Sequence, residues 1–470
     1  MAQNSGITVA LTGSTYFEHP LSVHRDEAFL ALVELMRGAS ATFANLECAI
    51  PSESDWPAFG SGMGWAGTYM GAPPSMIDEL KFLGVDAVYA ANNHVADFDE
   101  NGILNTVKNL RRGGMPFAGI GASLTEASEP CYVETDGGRV AMIAAADWGP
   151  RQLMELPFPW PAGYMPSDEL PPFHSRPGVN LVRYEAVVHV DREAFDQLRR
   201  ISGQLDWEKG KVVRREGGGR TETLFGPTLL GYEQDTDTEF FFMGRKFVLD
   251  DGFRITTFAF QEDLDRIYKH VREARRQADV VIVALHDQSH ARGVLDFIDT
   301  LAHGVIDAGA DLYINHGGMP RGIEIYKGKA ILYGQPGFHL QNDQITRLPS
   351  SMLLRMGLNA DSSASELLEK REGNRARAIQ AGGEPHDFGA ADNKFIQVAV
   401  FEQSGGLKEI RIHPIAEPVL PGARQRKGVP QLLDPESESS ERVLEKAIER
   451  SKPFGTTVEV QEGVGVVRVN

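Results

Sequence analysis

The chain has 470 residues, 42% of them apolar, enough for one large domain or two modest ones with proper cores. Its net charge of −18 argues against nonspecific binding to nucleic-acid phosphates, although a locally basic site can still take an acidic ligand. Cys48 and Cys131 indicate neither a zinc knuckle nor a disulfide scaffold, no apolar stretch approaches the ~20 residues of a membrane span, and the opening MAQNSGITVALTGS lacks the marks of a signal peptide. The expectation is a cytoplasmic protein with a small-molecule substrate, no nucleic acid and no membrane, with homo-oligomerisation left open.

In chain order, Ile7–Leu11 predicts a first strand that ends at Thr12-Gly13-Ser14. Glu27–Arg37 carries Phe29, Leu32, Val33 and Met36 on one helical face. Ala41–Ala44 is a short second strand that runs into Asn45-Leu46-Glu47, which puts a carboxylate at its end. Residues 52–72, rich in Gly, Ser, Trp and Met, read as a long loop over the site. Ser75–Leu83 is helical and leads into the apolar run Val85–Ala91, a buried parallel strand. That run stops at Asn92-Asn93-His94, with Asp97 three residues later. Glu100–Arg112 then resumes helical spacing, with Asp97 or Asp99 available to cap it. A strand that ends in polar groups just before a helix places them at the carboxyl edge of a sheet, where open α/β sheets bind ligands. Val140–Ala146 predicts a further strand, ending in Asp147-Trp148.

The pattern changes between 149 and 260. Residues 157–177 hold seven prolines (PFPWPAGYMPSDELPPFHSRP), which suits an ordered, irregular lid. A helix at Arg192–Ile201 and short strands ending with Phe240–Leu249 complete an insertion. The α/β rhythm then resumes: helix Glu262–Gln277, strand Val280–Leu285 ending in His286, helix Leu295–Ala308, strand Asp311–Ile314 ending in Asn315-His316, and strand Ala330–Tyr333. Residues 360–383 are helix-prone. Phe395–Phe401 and Glu409–Pro414 look like closing strands, and 434–470 a charged helix followed by a hairpin.

Four strand ends thus present Glu47, Asn93, His286 and His316. One carboxylate, one amide oxygen and two imidazoles suit a borderline divalent metal: Zn, Mn or Fe. His94 is an acid or base whose tautomer Asp97 can fix. The stretches ANLE (44–47), ANNHVAD (91–97), TVKNLRRGGMPFAGIGAS (106–123), ADVVIVALH (278–286), DAGADLYINH (307–316) and GIEIYKGKAILYG (322–334) resemble the CapA (poly-γ-glutamate capsule biosynthesis) family. That family shares the calcineurin-like metallophosphatase fold. The resemblance implies an α/β (α+β) two-sheet αββα sandwich: a first half at 1–148, a Pro-rich insertion or lid at 149–260, a second half at 261–345, and closing strands with a C-terminal extension at 346–470.

Two bridged metals are usual in the wider fold. By resemblance Glu47 is the bridging carboxylate; Asn93, His286 and His316 complete the second metal's ligands; His94 and Asp97 are the acid–base pair. The departures fall on the first metal. Gly13-Ser14 stands where the family has Gly-Asp, and His316-Gly317-Gly318 where it has His-Pro-His. A hydroxyl and a hydrogen cannot replace a carboxylate and an imidazole, so one divalent metal is expected. His19 and His24 are conceivable replacements. YGQPGF (333–338) also replaces a Gly-Asn-Phe ending.

Ser14, Asp147, Asp287, His290, Arg321 and His339 are candidate substrate-binding groups, and Arg151 and Arg183 further sources of local positive charge. His189, His270, His303, His386 and His413 receive no role. The expected function is a metal-dependent hydrolase, or a lyase, acting on a small polar or carboxylated substrate. The alternatives are a metallo-phosphoesterase and a non-catalytic component of capsule polymer assembly.

Overall fold

The computed structural model describes residues 6–57, 69–148, 176–206, 235–287, 293–380, 393–418 and 428–469, except 244 and 347, together with two short strands at 222–223 and 226–227. The Pro-rich lid up to residue 175, Arg151, His290 and His386 lie outside the described residues.

Strand alternation explains the layering. In Gly138–Trp148 and Val280–His286, the side chains of Val140, Met142, Ala144, Ile282 and Ala284 enter one core, shared with Val9, Leu11 and Val88 of the other sheet. The intervening Ala141, Ile143, Val281, Val283 and Leu285 enter a second core, against helices Gln261–Arg275 and Asp296–Ala308. This is the period-two signature of strands buried on both faces. Helices Glu27–Arg37 and Asp99–Arg112 pack their apolar stripes on the first sheet. The result is the expected αββα, metallophosphatase-like sandwich of two mixed sheets.

The first sheet runs Glu459–Gln461, Val464–Arg468, Leu407–Ala416, Phe395–Phe401, Thr8–Tyr16, Ala41–Leu46, Ala87–Tyr89, Phe117–Ala118. The last four are mutually parallel, so their carboxyl ends share one edge. The second runs Glu239–Phe242, Arg245–Leu249, Leu181–Val190, Gly138–Trp148, Val280–His286, Leu312–His316, Lys329–Gln335, Ile323–Tyr326. Strands within 181–259, the stretch read as an insertion, therefore extend the second sheet, Leu181–Arg183 pairing in parallel with Ala146–Trp148.

Gly13 joins the two sheets. A Cβ at Gly13 would lie 1.9 Å from the Pro336 carbonyl oxygen, so only glycine allows this approach. A register shift between Thr12 and Ser14 marks a bulge there, and the first strand continues to Tyr16 rather than stopping at Leu11. Phe338 N–H donates to the Ser14 carbonyl at 2.9 Å, and Gln335 Nε2 donates to the Leu11 carbonyl at 3.0 Å.

Three local readings change. The Val85–Ala91 strand shrinks to Ala87–Tyr89. Phe240–Leu249 is a hairpin, Glu239–Phe242 and Arg245–Leu249, turning through Met243 at φ 49°. Phe98, not Asp97 or Asp99, stands at the N-cap of the following helix, and the Asp97 carboxylate meets His94 and the Met70 N–H. No helix among the described residues is long and apolar enough to cross a membrane.

Candidate metal centre

His286 and His316 stand in register at the ends of adjacent parallel strands. By alternation both rings continue the faces of Ala284 and Ile314, toward the space between the sheets. Their Nδ1 atoms meet at 3.0 Å. Tyr89, from the opposite sheet, stacks on His316 at 5.3 Å between centroids. His316 is fully buried, and burial pushes its pKa down to about 3, the nearby Asp287 charge opposing this only in part. Burial thus favours the neutral ring, and among the described residues its Nε2 has no hydrogen-bond partner.

The first sheet contributes Asn45, Glu47 and Ser14. The Asn45 side-chain amide donates to Glu47 Oε2 at 3.0 Å, lies 3.4 Å from Ser14 Oγ, and lies 3.5 Å from His286 Nδ1. It thereby ties together the ends of three strands, from both sheets. Burial drives the Glu47 carboxyl above its usual range; the His94 charge and hydrogen bonds from Ser14 and Asn45 work against that rise.

The polar turn after Ala87–Tyr89 is fixed by Asn92. Its Oδ1 accepts the backbone N–H groups of His94 and Val95 at 3.0 and 3.1 Å, an Asx turn. Its Nδ2 donates to the Leu46 carbonyl at 2.6 Å, which holds the turn beside Glu47. His94 Nδ1 faces Asp97 Oδ2 at 2.7 Å, and the same oxygen accepts the Met70 N–H at 2.8 Å. Burial opposes charge on His94, yet the Asp97 carboxylate, joined by Glu47, holds the imidazole above its ordinary pKa. Burial likewise raises Asp97.

Ser14, Glu47, Asn93, His94, Asp97, His286 and His316 thus come to one edge between the sheets. Asp147 follows Ala146, the strand partner of His286. Asp287 is fully buried and pairs with Arg321 Nη1 at 2.7 Å, with Asn315 Nδ2 at 3.3 Å from the same oxygen. His339 pairs across strands with Thr15, and its Nδ1 bonds to Glu417, which Lys394 also contacts. Arg183 is engaged by Glu262 and Asp263. His19 is exposed and His24 half-exposed, with His24 Nδ1 3.9 Å from Asp26. Asn45 and Asn92, which carry the site's hydrogen bonding, received no role from sequence. The signal available was an asparagine two residues before Glu47, and another directly before Asn93.

The donor set fits a divalent ion in its chemistry: two buried imidazoles, a carboxylate buried at a cost without a cation, and an amide oxygen. Among the described residues, one trio of His, Cys, Asp or Glu has ligand atoms all within 4.8 Å of one another, and it lies elsewhere: Asp299, His303 and Glu324. His303 there bridges the two carboxylates at 3.4 and 3.0 Å on a partly exposed surface, an ion-pair arrangement that i,i+4 spacing from Asp299 announces.

Fold and strand-end donors together define the metallophosphatase-like class. Within it, the chain belongs to the family of the bacterial capsule synthesis protein PGA_cap, whose model matches residues 6–338. It is similar to two proteins of Sinorhizobium fredii (strain NBRC 101917 / NGR234), the uncharacterized proteins y4sH and y4uA. Each is 29% identical over 476 residues, covering 99% of this chain and 93% of the relative.

Proposed function

We propose that the protein is a metal-dependent enzyme, a hydrolase or a lyase, that acts on a small polar or carboxylated substrate with one divalent ion of Mn, Zn or Fe. Glu47, Asn93, His286 and His316 would hold the ion. Lewis acidity is what such an ion supplies when bound. The observation that carries the reading is the His94–Asp97 contact of 2.7 Å in a turn anchored beside Glu47. Asp97 fixes the ring through Nδ1 and leaves Nε2 as the nitrogen that moves a proton. With His94 held above its ordinary pKa, the ring is suited to give a proton to a leaving group near neutral pH.

The test is a panel of ester, amide, lactone and aryl-ether substrates with wild-type protein and His94→Gln. Turnover of one class that collapses in the variant supports the reading; no turnover anywhere, or equal turnover by both, sinks it. The family's description favours a second reading, a non-catalytic part in capsule polymer assembly. In that case the variant would bind polymer as the wild type does, and neither would turn over the panel.

A further inference from the structure

Position 318 lies two residues past His316, where the family's pattern sets a second imidazole. Gly318 leaves that position without a side chain, but it does not leave a vacant space. A Cβ built on Gly318 would lie 3.0 Å from Arg321 Nη2 and 3.2 Å from Asp287 Oδ2. The direction in which a ligand side chain would grow is therefore filled by the Arg321–Asp287 pair. That pair is sealed: its contact is 2.7 Å, and its side chains are 3% and 0% exposed. Asn315 Nδ2 supports the carboxylate at 3.3 Å, and Tyr313 supports Asn315 at 3.2 Å. The Asp287 N–H donates to the His316 carbonyl at 2.7 Å, so the pair is built into the strand ends that carry both imidazoles. The preceding Gly317 adopts φ 90°, and a Cβ there would meet the Asp287 carbonyl oxygen at 2.6 Å and His286 Nε2 at 2.8 Å, so Gly317 is closed to a side chain and Gly318 admits one only if the Arg321–Asp287 pair gives way.

We infer that Arg321 is the built-in cation of this site: its guanidinium neutralises Asp287 and occupies the path of a ligand at position 318, so that a second divalent ion is excluded by a resident charge and not merely by missing ligands. A buried carboxylate needs a positive partner, and breaking such a pair by removing one member is strongly destabilising. In this chain the partner is covalent and permanent. The inference rests on the one-metal reading, yet is tested apart from it, because it predicts differences between variants.

Three proteins are loaded with manganese(II), desalted, and their metal measured per chain: wild type, Ser14→Asp/Gly318→His, and Ser14→Asp/Gly318→His/Arg321→Ala. The double variant should gain nothing over wild type, and the triple variant should gain about one ion per chain. Gain in the double variant, or none in a folded triple variant, overturns the inference. Arg321→Ser alone keeps the test decisive if the triple variant does not fold. After the same loading and desalting, its melting temperature should rise further with millimolar magnesium or manganese, while wild type treated alike, which keeps Arg321, shows no such rise; absence of that difference also overturns it. A metal-free wild type would count against the proposed function alone.

Discussion

His94 and Asp97 share one buried turn, Nδ1 to Oδ2 at 2.7 Å, with side chains 3% and 0% exposed. The two imidazoles beyond them, His286 and His316, meet through their Nδ1 atoms at 3.0 Å. One chemistry suits proton movement and the other suits neutral-ring ligation, and substitutions should separate them.

His94→Ala should leave metal content unchanged and lower turnover by about 10²–10⁴-fold, the usual worth of a general acid or base. His286→Ala or His316→Ala should lose the metal. Metal analysis alongside rates checks this, and a metal-free His94 variant would contradict the division of roles.

In metal-free protein, two buried imidazoles should subtract stability as acid is added. Burial depresses His316 to about 3 and, with Arg411 nearby, His413 to about 4. The unfolded chain titrates these rings near ~6.5, so between the two values it binds protons that the folded state refuses. Their contribution is full above pH ~6.5 and is lost as pH falls toward 4 and below. Each ring adds at most about 1.4 kcal/mol per pH unit to the slope. Urea melts from pH 7 to 4 on wild type and His413→Asn measure it; an unchanged slope in the variant would count against the account.

Simple aryl phosphates should be poor substrates even with added manganese. Ser14 and the filled space at Gly318 deny the second ion that would share the phosphoryl oxygens. Fast, metal-saturable phosphate release would return the chain to ordinary phosphoesterases.

Gly13→Ala should destabilise the protein by at least the ~1–3 kcal/mol of an overpacked core, because the new Cβ meets the rigid Pro336 carbonyl rather than a movable side chain. A melting temperature within a degree of wild type would show that the two sheets do not depend on this approach.

Much of the architecture was legible because it is local. Apolar runs that stop at Asn93, His286 and His316 reveal strand ends, and a parallel sheet gathers its ends on one edge. The helix Glu27–Arg37 follows from its apolar spacing alone. What was not legible depends on partners distant in sequence. Asn45 gains its place only when His286, 241 residues away, comes within 3.5 Å. His339 gains its partner Glu417 only across 78 residues of chain. Asp97 resembles a helix cap in sequence, and the Met70 N–H together with His94 draws it inward instead. Gly318 reads as a missing ligand, whereas the filled space behind it depends on where Arg321 lands.

The central claim is one divalent ion at the meeting of the two sheets, and metal content of the protein as purified tests it most directly. Elemental analysis after dialysis without chelator should give about one equivalent of manganese, zinc or iron per chain, lost in His286→Ala. A wild type that holds none after loading, holds two, or keeps its ion when His286 is replaced would contradict the account.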